Sequence, residues 1–122
     1  MPVGLRDLGR QDVKYAKIDA AGSATTALVT LTAAEIAAGK KVCVVSYYGC
    51  SAGNTTFIFK SFDNDSTYTD LTGTMRIEND SSGMSADWSP DGHFETLAGE
   101  SLVVTNGGSN AVGGHLSYFL YE

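Results

Sequence analysis

The sequence predicts an all-β fold: a single-domain β-sandwich of jelly-roll type, with eight or nine strands and one short helix near residues 33–38. Three observations carry this. Apolar and aromatic stretches recur about every 8–12 residues, the spacing of an antiparallel sandwich. Clusters of Gly, Asn, Asp and Ser stand between them, and 14 Gly against two Pro suit many tight turns. Near-equal strand spacing with a single helical segment favours a jelly roll over an immunoglobulin sandwich. The immunoglobulin Cys…Trp…Cys order is also missing, because Cys43 and Cys50 both precede Trp88.

Taken in order, residues 1–12 read as an N-terminal arm and residues 13–122 as the sandwich. The arm has Leu5 and Leu8 among Arg6, Asp7 and Arg10, without strand alternation. Val13 to Ile18 alternates loosely and predicts a first half-buried strand; Thr25 to Thr32 predicts a second. Thr32-Ala33-Ala34-Glu35-Ile36-Ala37-Ala38-Gly39 carries the helix: Thr32 caps, Glu35 follows three residues on, and Gly39 stops it. Two turns do not stand alone in water, so this helix should pack as a bridge between the ends of the sandwich. Lys41 to Tyr48 is the strongest strand, rich in β-branched and aromatic residues. Thr55 to Phe62 is the next. Phe57, Phe59 and Ser61 share one face of it, and Ile58, Lys60 and Phe62 the other.

Asp63 to Ser66 is a turn of Asx residues. Shorter strands follow at Tyr68 to Leu71 and Thr74 to Glu78, bent at Gly73. A short segment around Trp88 leads to Ser89-Pro90-Asp91-Gly92, a turn with Pro at its second position. His93 to Leu97 and Ser101 to Asn106 are two more strands. Gly107 to Gly114 reads as a loop, and His115 to Tyr121 closes the chain as a strand. Tyr47-Tyr48 and Tyr118 to Tyr121 put bulk on both faces of their strands. One face is core; the other either meets a partner or is covered within the domain.

Composition bounds the function. With 122 residues, 43% hydrophobic and 18% charged, the chain is one ordered domain. The net charge of −6, with eight Lys and Arg spread along the chain, leaves no basic stripe for nucleic acid. No apolar run is long enough for a membrane span, and Met1 to Asp7 lacks the apolar core of a signal peptide. Synthesis in a reducing, cytoplasm-like space is therefore expected. In one extended stretch Cys43 and Cys50 would lie about 23 Å apart, so two free thiols are expected.

Four constellations invite chemistry, and each has a plainer reading. Gly49-Cys50-Ser51-Ala52-Gly53 matches G-x-S-x-G, but a nucleophile elbow needs a helix after it and a larger α/β scaffold. Asp63, Asp65, Thr67 and Asp70 suggest a cation loop, yet Tyr68 and Thr74 stand where an EF-hand needs Gly and Glu. His93 with Asp91 and Glu95 lacks third and fourth zinc ligands nearby, and His115 is isolated. The 14 acidic residues show no pairing that marks a sugar hydrolase. The residues therefore indicate no catalytic site, no metal and no cofactor. Trp88 and Tyr68 are surface aromatics suited to a lectin-like contact.

The order of these segments resembles that of a known family. Gly39 to Tyr47 is followed by the Phe-rich strand and by Asp70-Leu71-Thr72-Gly73-Thr74-Met75. Then comes Trp88-Ser89-Pro90-Asp91-Gly92-His93-Phe94-Glu95-Thr96-Leu97-Ala98-Gly99-Glu100-Ser101-Leu102, and the chain closes through Val112-Gly113-Gly114-His115-Leu116-Ser117-Tyr118. Over residues 14–122 the chain is similar to small structural proteins of tailed bacteriophages, especially capsid decoration (cement) proteins. The resemblance implies a sandwich that assembles as a homo-oligomer, most often a trimer, on the capsid exterior. There it would stabilise the shell by binding the major capsid protein. The arm, with Leu5, Arg6, Leu8 and Arg10, would be the clamp. Tail and head-fibre proteins use similar sandwiches. The resemblance does not account for the two Cys or the aromatic-rich C-terminus.

Overall fold

The computed structural model describes residues 13–78 and 83–122. Among them are ten strands and one short helix. In chain order these are β1 (Lys14–Ala20), β2 (Thr25–Val29), α1 (Ala33–Ala37), β3 (Lys41–Cys50), β4 (Thr55–Phe62), β5 (Tyr68–Asp70), β6 (Met75–Ile77), β7 (Gly83–Ala86), β8 (Phe94–Glu95), β9 (Ser101–Asn106) and β10 (Val112–Tyr121).

Two antiparallel sheets face each other. The first has the order β1-β10-β3-β7, with β8 also on β3; the second has the order β2-β9-β4-β5, with β6 also on β4. The pairs nest like a long hairpin: β1 with β10, β2 with β9, β3 with β7 and β8, β4 with β5 and β6. A folded ribbon rolled into two sheets is the jelly roll the spacing predicts. Two arms of the ribbon are broken. The break between β5 and β6 around Gly73 is the expected one. The other lies between β7 and β8, where residues 87–93 cross the outer face, and β7 (Gly83–Ala86) is the strand that takes the count beyond eight or nine. Several expected boundaries also move. β1 runs on to Ala20, the second strand stops at Val29, β3 runs on to Cys50, β8 shrinks to Phe94–Glu95, and β10 begins at Val112 instead of His115. The last shift arises because Gly113 and Gly114 pair with Asp19 and Ile18 on one side and with Cys50 and Gly49 on the other. A Cβ at Gly114 would collide with the Tyr48 carbonyl.

The core follows the alternation of β4. Phe57 and Phe59 point inward and are buried, while Ile58, Lys60 and Phe62 face out. Phe59 is the hub: its ring lies 5.2 Å from Tyr47, 5.8 Å from Phe57 and 5.0 Å from Phe94. Val42, Val44, Leu102, Val104 and Leu116 complete the layer. β3 does not alternate, and a bulge explains why. Ser46 pairs with Ser117 but Val44 with Tyr118, so Val45 is the extra residue. Val42 and Val44 before the bulge and Tyr47 after it all turn to the core. Cys43 and Val45 instead join Phe119 and Tyr121 in a second cluster on the outer face.

α1 links the second sheet to the first, as its position between β2 and β3 requires. Its capping box is complete: Glu35 N donates to Thr32 Oγ1 at 3.2 Å and Thr32 N to Glu35 Oε1 at 2.8 Å. Gly39 takes a φ of 71° just past the end, as a helix stop requires.

Buried Asn106 locks one end of the sandwich. Its amide nitrogen donates to the carbonyls of Ala20 at 3.3 Å and Asn110 at 2.7 Å. Its oxygen accepts from Thr55 Oγ1 at 2.6 Å and Gly108 N at 3.1 Å. Among the described residues every buried side-chain nitrogen and oxygen has a partner. Asn106→Ala should lower unfolding stability by at least about 2 kcal/mol, because several buried groups lose their partner at once. Phe59→Ala should cost about 3–5 kcal/mol through cavity formation. Urea unfolding followed by fluorescence checks both, with outward-facing Thr56→Ala as the near-neutral control.

Candidate functional site

The outer face of the second sheet carries a groove of about 420 Å³. Its floor is set by register: Ala27 of β2 pairs with Val103 of β9, and Val103 with Lys60 of β4. Small side chains at Thr25, Ala27 and Ser101 leave the floor low. One wall is Ile36 of α1 with Thr30 and Leu31, and the other is Phe62 and Tyr68. The two rings of the second wall stack at 4.6 Å with 16° between their planes. Tyr68 is thereby held rigid on a short edge strand although it is 46% exposed.

The polar atoms at the groove's end are already engaged. Ser101 Oγ donates to Asn64 Oδ1 at 2.5 Å and accepts from Leu31 N at 3.1 Å. Asn64 Nδ2 donates to the Gly99 carbonyl at 3.0 Å. The Thr25 and Thr105 hydroxyls bond each other at 2.8 Å. What the groove offers is apolar surface and the face of one tyrosine. Among the described residues no charged side chain lines it; Asp70, two residues beyond Tyr68 on β5, pairs with Lys60 at 3.6 Å.

The outer face of the first sheet is built differently. Residues 87–93 fold over it: Ser89 N donates to the Val45 carbonyl at 2.9 Å and His93 N to the Val44 carbonyl at 2.8 Å. The Ser89–Gly92 turn lies on Cys43, whose thiol reaches the Asp91 carbonyl at 3.9 Å. Gly92 has a φ of 84°, and a Cβ there would strike the Cys43 sulfur. Burial, with the charges of Glu95 and Asp91, pushes the Cys43 thiol up to about 11. Cys43 is thus a packed side chain with no nucleophilic character. Both cysteines are free. Beyond this cover Tyr15 is 76% exposed and Tyr48 41%.

At the edge of that face Glu95 accepts from the Tyr121 hydroxyl and from Lys41 Nζ at 3.2 Å. The bond from Tyr121 is the main reason that the Glu95 carboxyl titrates below its ordinary value. The same bond leads the causes that push Tyr121 up to about 12.

The residues singled out by sequence are dispersed. Tyr68 lines the groove, whereas Trp88, 50% exposed, belongs to the segment over the first sheet. The two do not form one aromatic platform. His93 bonds the Asp87 carbonyl at 2.7 Å, while Glu95 turns to Tyr121 and Lys41, so no acid-base pair forms. In the Asp63 turn Oδ1 accepts from the amides of Asp65, Ser66 and Thr67 at 2.8, 2.8 and 3.0 Å. These bonds hold its pKa low and make it an Asx turn. Ser51 of G-x-S-x-G is buried and accepts from Gly53 N at 3.3 Å. Among the described residues no group of three or more His, Cys, Asp and Glu is placed to hold a metal ion, and no helix is long and apolar enough to cross a membrane. Leu5, Arg6, Leu8 and Arg10 lie outside the described residues. Sequence reasoning missed Ile36, Ala27 and Val103. The outward alternation of Phe62 was the one available hint.

The chain matches no protein-family model, no curated protein and no solved structure.

The Glu95–Tyr121 bond has a pH signature at both ends. Glu95 is depressed, so its contribution is present above its ordinary value of 4.5 and is lost as pH falls through the lowered pKa. Tyr121 is raised, so its contribution is full below 10.0 and is lost as pH rises through about 12. In ultraviolet titration the phenol ionising near 12 should vanish in Tyr121→Phe and move down towards 10 in Glu95→Gln. An unchanged late phenol in Glu95→Gln would contradict the assignment.

Proposed function

We propose that the protein is a non-enzymatic virion structural protein that binds the outer surface of a bacteriophage capsid and stabilises it. The observation that carries this reading is where the unspent surface lies. The interior is filled and its polar groups are satisfied. Apolar and aromatic side chains remain on the outside: Tyr15 and Tyr48 on one sheet, Tyr68 and Ile36 on the other. A jelly roll with that distribution suits adhesion through its exterior. Fold alone does not decide function. The particular role rests on the motif order that resembles capsid decoration proteins.

In this reading the partners are the major capsid protein and further copies of the chain, with a trimer favoured. The chain needs no cofactor, contacts neither nucleic acid nor membrane, and resides on the capsid exterior after synthesis in the host cytoplasm. Leu5, Arg6, Leu8 and Arg10 are the residues assigned to the capsid contact. A tail or head-fibre location is the second reading, since it would use the same exterior. A lectin-like module is disfavoured by the separation of Trp88 from Tyr68 and by the engaged polar groups of the groove.

Cryo-electron microscopy of purified particles should place the protein on the outer capsid surface; density on the tail would move it to the second reading. Deleting residues 1–10 should weaken co-sedimentation with capsids while leaving the circular-dichroism spectrum unchanged, and undiminished binding would remove the arm from the interface. Light scattering of the isolated protein should return an oligomer, and a monomer at high concentration would count against the assembly. Saturable glycan binding lost in Tyr68→Ala would replace this reading with the lectin one.

A further inference from the structure

We propose that β1 is a self-pairing edge: two copies of the chain join their β1 strands antiparallel about a two-fold axis through Ile18, with Lys17 of each opposite Asp19 of the other. The contact gives self-association a surface and does not rest on the capsid reading.

The edges of the two sheets are unequal. β1 and β2 each have a neighbour on one side only. An outer strand presents a row of unpaired backbone N–H and C=O groups, which a further strand can fill. β5, β6, β7 and β8 have two to four residues, too short to offer much of a row. β2 has five residues and a register shift between Ala27 and Val29, which disrupts further pairing. β1 has seven residues, Lys14–Ala20, matched one to one with Tyr118 to Val112. It contains no Pro. Among the described residues no backbone segment other than β10 bonds to residues 14–19.

Charge then selects the occupant. β1 turns Ala16, Ile18 and Ala20 to the core and Tyr15, Lys17 and Asp19 outward. Lys17 and Asp19 are exposed, and among the described residues neither joins an ion pair. A lysine on an edge strand normally deters pairing. Here an acid two residues on, on the same face, makes the edge complementary to its own reverse. In a two-fold antiparallel pair the residues that meet share a face, so the axis passes through a residue. An axis through Lys17 sets lysine against lysine, and one through Asp19 sets acid against acid. An axis through Ala16 sets Lys17 against Tyr15. Only the axis through Ile18 gives two ion pairs, Lys17 to Asp19 in both directions. It also sets Ala16 against Ala20 on the inner face, which continues the core layer across the contact. Tyr15, 76% exposed, then lies beside the small Ala21 of the other copy. Such an isologous contact closes at two copies, so it extends the sheet without propagating it. Any three-fold contact must use another surface.

Charge exchange tests the register. In the full-length protein, sedimentation equilibrium should show self-association that Lys17→Glu and Asp19→Lys each weaken about tenfold or more, because each sets two like charges opposite each other. Mixed in equal amounts, the two variants should recover it as a mixed pair, identified by native mass spectrometry. In that pair the introduced glutamate faces the introduced lysine, and Asp19 faces Lys17. The double variant Lys17→Glu/Asp19→Lys should recover the association as well. Both positions are exposed, so the circular-dichroism spectrum should match the parent's in every variant. Association unchanged in the single variants, or no recovery on mixing, would overturn the proposal. A monomeric parent at high concentration would overturn it too, leaving the β1 edge to a different partner. Loss of capsid binding with the pair intact would strike only the capsid reading.

Discussion

The fold depends on the last strands of the chain occupying the centre of both sheets. β10 lies between β1 and β3, and β9 lies between β2 and β4. Neither sheet has its inner neighbour until residues 101–121 arrive. Consecutive strands β3 and β4, the most apolar pair, belong to opposite sheets and cannot stabilise each other by pairing. Lys14 must find Tyr118 and Thr25 must find Thr105 before the ribbon is closed. Loop closure of that length costs entropy before any contact repays it, so folding should be slow and all-or-none. The same arrangement leaves short β5, β6, β7 and β8 at one edge of each sheet, with β1 and β2 at the other; on the short side this limits edge-to-edge association.

Polar residues at the two ends fix the register that the apolar face alone would leave approximate. Asn106 holds β9 to β4, to the β1–β2 corner and to the turn before β10. At the opposite end Ser61 Oγ donates to Glu100 and accepts from Leu97 N, and Ser101 links Asn64 to Leu31. A slip of one residue in β9 would turn Leu102 and Val104 outward and break both clusters together. These side chains therefore contribute more to uniqueness than to raw stability.

Where local chemistry decides the structure, it was legible in the sequence. The period of two in β4 identified Phe57 and Phe59 as core, and Thr32 with Glu35 and Gly39 delimited α1. The Ser89–Gly92 turn stood out by its Pro and Gly. β3 was legible as a strand but not by face, because the bulge at Val45 reverses the pattern midway. The start of β10 was hidden because Gly113 and Gly114 have no side chain to alternate. The groove was illegible for a different reason. Ala27, Ile36, Tyr68 and Val103 come from four separate elements and meet only through the register of β2, β9 and β4. Tyr68 and Trp88 were identified as exposed, yet nothing local to either could say that they belong to different faces.

The two outer faces show how one architecture separates stability from availability. On the first sheet the bulge at Val45 throws an apolar cluster to the outside, and residues 87–93 cover it by bonding back to Val44 and Val45. That cover breaks the ribbon between β7 and β8 but removes Cys43 and Phe119 from water. On the second sheet the outward row is smaller and more polar, with Thr25, Ala27, Lys60 and Thr105, so it needs no such cover. α1 stands only at its rim. A floor of Thr25 and Ala27 is then left accessible, while Val103 stays buried between its neighbours. Thr25 and Ala27 on this face are therefore surface that the fold does not require for its own stability, unlike the covered cluster on the first sheet.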